Sequence, residues 1–230
     1  MKQYPIFITC RDRVEPLRQL VDWLEKVGQE RIYLVDNDST YDPLLEYFKE
    51  TPHTVLYLGG NYGHRAIWEN KLYEVYAKDE YYAATDFDVV PVEECPYTAL
   101  EHFEELLKKY PTRTKVGFGL KVDDIPDTWL RKDPIMNWEN HLWNDSHQVE
   151  PGVYDCPIDT TFALYQKNSD FEVWNTFRTG YPYVTRHLPW YTDTMHPTPE
   201  EIYYATHASG SSSWSMQQLE DWEKYGVDIS

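Results

Sequence analysis

Two carboxylates two positions apart, Asp86 and Asp88, close the run "YYAATDFDVVP" at residues 81–91. Hard divalent cations take oxygen ligands, and an ion bound to a diphosphate usually takes one or two protein carboxylates while the phosphates supply the rest. If the segment is extended, its side chains alternate with period two, so the two acids share a face and Phe87 turns away into packing. One acid can then hold the metal while the other reaches it through water or takes a sugar hydroxyl. A lone D-x-D is also how a solvated acidic turn reads, and 39 acidic residues make chance pairs common. Its meaning depends on what positions it.

The first 120 residues or so alternate strand and helix signals, the pattern of an α/β domain with a mostly parallel sheet. "PIFITC" (5–10), "RIYLVD" (31–36), "TVLYLG" (54–59), residues 81–85 and "KVGFGL" (115–120) are short β-branched or aromatic runs. Between them Val14, Leu17, Leu20, Val21, Leu24 and Val27 recur at helical spacing, with Pro16 near the start, where it is tolerated. "PLLEYFKE" (43–50) predicts a short helix, Trp68, Leu72, Val75 and Tyr76 one face of another, and Leu100, Phe103, Leu106, Leu107 and Tyr110 a third. From residue 121 the texture becomes rich in Pro, Asp, Asn and Trp, which predicts long loops and short helices interrupted by a strand at 160–166. No repeat or linker divides the chain, so one domain over 1–230 is expected.

In an open parallel sheet, ligands sit beyond the carboxyl ends of the strands, where the strand order reverses. Strand one is followed by "RDR" (11–13), strand two by "DNDST" (36–40), strand three by "GGNYGHR" (59–65) and strand four by "DFD" (86–88). Four polar strand ends on one edge say more than any one motif.

Bulk properties narrow the partners. The chain has 230 residues and a formal charge of −18, with no basic run to offset it, which argues against nucleic-acid binding through phosphates. A nucleotide can still bind if a cation bridges it to carboxylates. Aromatics are 16% of residues, suited to holding sugars and equally to filling a core. Cys10, Cys95 and Cys156 are odd in number and widely spaced, as expected of reduced thiols in a cytoplasmic chain. Neither a signal peptide nor a membrane span is expected from the apolar segments.

In order and spacing, the four strand ends over roughly residues 4–92 resemble the nucleotide-sugar glycosyltransferases of the GT-A fold, particularly the family-2-like group. The resemblance implies an α/β, Rossmann-like, mostly parallel sheet flanked by helices. Residues 1–120 then form the donor-binding half and 121–230 an irregular acceptor-side half. "TCRDR" corresponds to the donor loop, bringing in Thr9 and Arg11; "VDNDST" corresponds to the base-reading stretch, bringing in Asp36, Asn37 and Asp38. Asn61, Gly63 and Asn70 in "NYGHRAIWEN" match the N-x-G stretch that opens a helix under the donor, and Arg65 follows it to face the base or diphosphate.

The D-x-D of such enzymes binds Mn2+ or Mg2+, with Asp88 on the cation and Asp86 on the cation, ribose or sugar. Where many relatives have two adjacent acids, this chain has "DND", which places Asn37 at the base. An amide both donates and accepts, so uracil remains possible and a UDP- or GDP-sugar is the expected donor.

The second half of related enzymes supplies a late histidine for the metal, here His207 in "ATHASGSSSWS", and a catalytic carboxylate. Imidazole is an acceptable Mn2+ ligand. An inverting transfer needs a carboxylate to take the proton of the acceptor hydroxyl. By order along the chain the resemblance favours Asp193, with Asp159 as an acceptor- or sugar-binding group and the acceptor a glycan or other hydroxyl compound. Two other classes compete. A sugar nucleotidyltransferase would need a Gly-rich basic loop after strand one, and "ITCRDRVEPL" has no glycine. A non-catalytic aromatic-rich carbohydrate-binding module would be a β-rich sandwich, unlike this alternation.

Overall fold

Leu17, Leu20, Val21 and Leu24 form the fully buried stripe of the first helix, α1 (Glu15–Lys26), which shares one core with a strand that has no exposed residue, β1 (Ile6–Cys10). The computed structural model that shows this describes residues 2–208 and 213–229, without the side chains of 213–216. Ile6 and Ile8 face the α1 side of the sheet and Phe7 the opposite side, so β1 is buried between two layers, as its unbroken apolar run requires.

The chain continues through β2 (Ile32–Asp36), α2 (Asp42–Glu50), β3 (Thr54–Tyr57), two short helices α3 (Ala66–Glu69) and α4 (Leu72–Tyr76), β4 (Tyr82–Asp86), β5 (Val89–Pro91), α5 (Ala99–Lys109) and β6 (Lys115–Leu120). Then follow α6 (Lys132–Leu142), β7 (Gln148–Glu150), β8 (Val153–Asp155), β9 (Ala163–Tyr165), the long β10 (Thr176–His187), α7 (Pro199–His207) and α8 (Ser213–Tyr225). The architecture is α/β, a mixed sheet flanked by helices with strand order β3-β2-β1-β4-β9-β6-β10-β8-β7, and β5 paired to β10. The first four strands in that order are mutually parallel, as are β6 and β10.

The chain steps outward from β1 to β3 and then returns to lay β4 against the other side of β1, which makes the β1–β4 boundary the reversal point. Thr9 and Asp86 are register partners there.

Three local expectations give way. The single helix expected across Trp68–Tyr76 is two, broken at Lys71 in the left-handed region (φ 52), where Asn70 Nδ2 also turns back to Ala66 O. The strand through Asp86 stops there, and Phe87 and Asp88 form a turn, so strand alternation does not place the two acids. The region after 121 is less irregular than its composition suggests. The strand expected at 160–166 appears as β9, antiparallel to both β4 and β6, and the region adds the 12-residue β10, which lay outside the expected elements.

Gly117 and Gly119 in β6 permit this close packing. A Cβ on Gly117 would lie 2.6 Å from Phe162 O and from Ala163 Cβ, and one on Gly119 would meet Thr179 O at 2.6 Å and the Trp143 ring.

Candidate functional site

Beyond the carboxyl ends of β1 and β4 opens a cleft of about 530 Å³. One wall is made by the loops that follow β1, β2 and β3, which brace one another. Arg11 Nη1 donates to Asn37 O (2.6 Å) and Asp38 O (3.0 Å), tying the first loop to the second. Asp12, at φ 48, accepts from the amides of Thr40 (2.5 Å) and Tyr41 (3.0 Å) and so braces the backbone that enters α2. Glu200 of α7 does the same for α1, accepting from Val14 N (2.5 Å) and Glu15 N (3.1 Å).

Asn37 spends its amide on the third loop. Nδ2 donates to Asn61 Oδ1 and Gly63 O, both at 3.0 Å, and Oδ1 accepts from Tyr62 N at 2.7 Å. Thr9, Arg11, Asn37, Asn61 and Gly63 all line the cleft, and His64 joins them.

On the facing side, Asp86 and Asp88 both reach the cleft although they sit in different backbone conformations. Burial pushes the Asp86 carboxyl well up from the ordinary value and the nearby Asp88 charge adds to that, against the opposing effect of a hydrogen bond from Thr160 Oγ1. Two carboxylates crowded in a poorly solvated place are an arrangement that a cation relieves. His187 Nε2 lies 3.7 Å from Asp88 Oδ1, and its buried Nδ1 has no hydrogen-bond partner among the described residues. Burial lowers the His187 pKa, which keeps the ring neutral and able to ligate a metal.

Among the described residues, no three His, Cys, Asp or Glu side chains are set close enough to enclose an ion by themselves. An ion held together with a diphosphate needs only one or two protein carboxylates. Asp86 and Asp88 with a neutral imidazole beside them fit that requirement, and the nitrogen donor suits Mn2+ better than Mg2+.

The cleft floor is the turn at Asp159–Thr161, which also hydrogen-bonds Asp86 through its backbone (Asp86 N to Thr160 O, 3.3 Å). Asp159 is open to the cleft with protein on its other sides. Burial would raise its pKa, but Arg178 and hydrogen bonds from Thr161 N (3.2 Å) and Oγ1 (2.9 Å) hold it below the ordinary value, so it is ionised at neutral pH. Beneath it the fully buried Lys115 donates Nζ to Asp159 O (2.6 Å) and Tyr165 OH (2.9 Å), and burial brings its pKa down to about 7. Arg178 and Glu139 form a buried pair at 2.7 Å in the adjoining wall.

Several residues singled out from the sequence lie elsewhere. Asp193 does not line the cleft; it accepts from Met195 N (2.9 Å) and pairs with the exposed His196 (3.0 Å), closing its own turn. His207 is exposed and stacked on Tyr203, with ring centroids 3.9 Å apart and Nδ1 2.9 Å from Tyr203 O. Arg65 lies over the Phe171 ring at 5.3 Å, outside the lining. Asp36 accepts from Ser39 N (3.1 Å) in a local turn, and Asp38 is exposed at φ 69. Most of the Gly/Ser run after His207, residues 209–212, lies outside the described residues.

His187, Arg178, Glu139, Thr160 and Lys115 were not legible as site residues. The signal that could have found the first two is the alternating stretch "TFRTGYPYVTRH", obscured by its Gly-Tyr-Pro interruption.

No protein-family model matches the chain. No curated protein matches it in sequence. Among solved structures it is similar to S. aureus TarS, with a TM-score of 0.49 and 12% identity over 100% of this chain and 44% of that one. The chain thus spans less than half of that protein, and a likeness of this size carries no conclusion about activity. Among the described residues, no helix is long and apolar enough to cross a membrane.

Proposed function

We propose that the chain is a metal-dependent glycosyltransferase that moves a sugar from a nucleotide-diphosphate-sugar to an acceptor hydroxyl. The observation that carries this reading is the meeting of Asp86, Asp88, His187 and Asp159 in one cleft at the reversal point of the sheet. Ligands bind at that place in open α/β sheets, and the residues there are those that a diphosphate leaving group and a hydroxyl nucleophile require.

Asp86, Asp88 and His187 would hold Mn2+, or less favourably Mg2+, and the ion would neutralise charge on the departing nucleoside diphosphate. The donor base lies toward Thr9, Arg11 and the 61–63 loop. Asn37 shapes that loop instead of reading the base with free amide hydrogens, since both are engaged. Arg11 lines this side of the cleft, with its guanidinium held by Asn37 O and Asp38 O and its charge partly offset by Asp12 at 3.7 Å.

Asp159 takes the place first expected of Asp193. As a carboxylate open to the cleft it removes the acceptor hydroxyl proton while the acceptor oxygen bonds to the sugar C1. The C1–O bond to phosphate breaks on the opposite face, and its electron pair leaves with the nucleoside diphosphate, inverting the anomeric centre. Lys115 and Thr161 hold the turn that presents Asp159. Residues 1–120 then serve as the donor half and 121–230 as the acceptor half of one functional unit.

A thermal-shift screen of UDP- and GDP-sugars with and without Mn2+ tests the reading. A bound nucleotide raises the melting temperature according to its affinity, so stabilisation that requires the metal is expected from at least one of them. No stabilisation by any nucleoside diphosphate in the presence of Mn2+ would sink it.

A further inference from the structure

Four residues of α6, Ile135, Trp138, Glu139 and Leu142, line the cleft. Their spacing of i, i+3, i+4 and i+7 is the stripe with which a helix ordinarily meets a core, yet here it meets an open space. Three members behave as the pattern demands or nearly so, with Ile135 and Glu139 buried and Leu142 half-buried. Trp138 does not: 68% of it is exposed. What sets Trp138 apart from other exposed aromatics such as Trp174 is its place in the cleft lining, where its indole offers a flat apolar face that a ligand can cover.

The polar part of this wall is equally specific. Arg178 and Glu139 are 6% and 5% exposed, and a buried ion pair costs desolvation that its Coulomb attraction does not reliably return. Arg178 Nε donates to Pro157 O at 2.8 Å, which ties the pair to the backbone two residues before Asp159. Glu139 accepts from Arg178 through Oε2 and leaves Oε1 without a hydrogen bond among the described residues. The wall therefore combines an apolar ring face, a free carboxylate oxygen and a guanidinium, next to the candidate base.

The helix that carries this face is held at both ends. Just before it, Arg131 makes a two-point contact with Asp221 of α8, Nε to Oδ2 at 2.5 Å and Nη2 to Oδ1 at 3.0 Å. At its end, Cys156 Sγ donates to Leu142 O at 3.2 Å and Trp143 packs against Gly119. A platform fixed in this way is preorganised for a ligand.

We propose that Trp138, Glu139 and Arg178 form a subsite for a pyranose ring of the acceptor, so that the acceptor is a carbohydrate and not a lipid or protein hydroxyl. A pyranose has an apolar C–H face that stacks on indole and an equatorial rim of hydroxyls that donate to a carboxylate and accept from a guanidinium. This rests on the transferase reading for its direction, since Asp159 beside the subsite is what makes the bound sugar an acceptor.

The test uses the full chain without nucleotide or metal and the methyl glycosides of glucose, galactose, mannose and N-acetylglucosamine as probes. In saturation-transfer NMR at least one glycoside is expected to receive magnetisation at its ring C–H protons. Trp138→Ala is expected to lose that signal and Trp138→Phe to keep part of it. Because Trp138 is exposed, the alanine variant should keep the melting temperature of the parent, which separates loss of the ring from loss of the fold. The nucleotide-sugar chosen by thermal shift is then added with Mn2+, and the glycoside signal should persist; displacement would mean that the subsite serves the donor sugar and would overturn the acceptor assignment. Absence of signal from every glycoside, or an undiminished signal from Trp138→Ala, would overturn the subsite while leaving metal-dependent nucleotide binding intact. Failure of nucleotide binding with glycoside binding retained would instead overturn the donor reading.

Discussion

His187 Nε2 stands 3.7 Å from Asp88 Oδ1 because the end of β10 pairs antiparallel with β5, His187 opposite Val89. A further backbone hydrogen bond from Leu188 N to Asp88 O (2.9 Å) locks the two turns together. The histidine is thus delivered to the acidic pair by strand pairing and not by a loop. If it is a metal ligand, His187→Ala should weaken Mn2+ affinity by at least about tenfold, the lower end of what losing support at a metal site costs. Asp88→Asn should remove the metal dependence of nucleotide binding altogether. Titration calorimetry with Mn2+ and the nucleoside diphosphate checks both, and Mn2+ affinity unchanged in His187→Ala would remove that residue from the metal site.

Asp159 and Asp193 make opposite predictions. Asp159 faces the cleft beside Asp86, while Asp193 is committed to Met195 N and His196 at the surface. Asp159→Asn should keep nucleotide binding and lower the transfer rate by roughly 10²–10⁴, the usual contribution of a positioned base. Asp193→Asn should leave the rate within a small factor. A steady-state comparison of sugar transfer decides between them, and the reverse ranking would return the base role to Asp193.

How far the sequence reaches is visible in these two residues. The first four strands, α1 and α2 follow from apolar period and turn chemistry, which are local, and β1, β2 and β4 appear within a residue of expectation, whereas the helix after β3 is split at Lys71 against its apolar spacing. Their polar ends converge because parallel strands share a carboxyl edge. The remaining partners come from pairings that no local window contains. His187 depends on the register of β5 with β10, and Asp159 on β9 being inserted between β4 and β6. Order along the chain favours Asp193 and motif resemblance favours His207, but neither carries the spatial pairing, and both fall where α7 and the turn before it satisfy themselves.

Away from the cleft, Glu104 of α5 ties the segment before β1 to the fold through Lys2 and Tyr4. Burial alone would raise the pKa of Glu104, but hydrogen bonds from Lys108, Lys2 and Tyr4 bring it down from 4.5 to about 2. The unfolded chain binds a proton at this group below pH 4.5 whereas the folded one does not until about pH 2. Its contribution to stability is therefore complete above 4.5 and is lost as pH falls from there toward 2. In urea melts the parent should exceed Glu104→Gln in stability at pH 6, and the gap should narrow across that window. A gap that stays constant to pH 2 would show that the carboxylate charge contributes nothing.

At Gly119 the sheet and the proposed acceptor wall touch. Its missing side chain lets the Trp143 ring and Thr179 O approach β6, and an added Cβ would stand 2.6 Å from that carbonyl oxygen. The carbonyl belongs to β10, paired with β6 on that flank, so it cannot retreat without disturbing the ladder. The indole can move, but only by carrying the end of α6 with it. Gly119→Ala should therefore destabilise the fold by about 1–3 kcal/mol, the usual range for an overpacked interior, as read from denaturant midpoints. It should also weaken glycoside binding at Trp138 more than it weakens Mn2+-dependent nucleotide binding, because Asp86 and Asp88 stand on β4 and its following turn, away from α6. Equal loss of both would mean that the two halves of the cleft move as one body, and no loss of stability would mean that Trp143 is not held against β6 in solution.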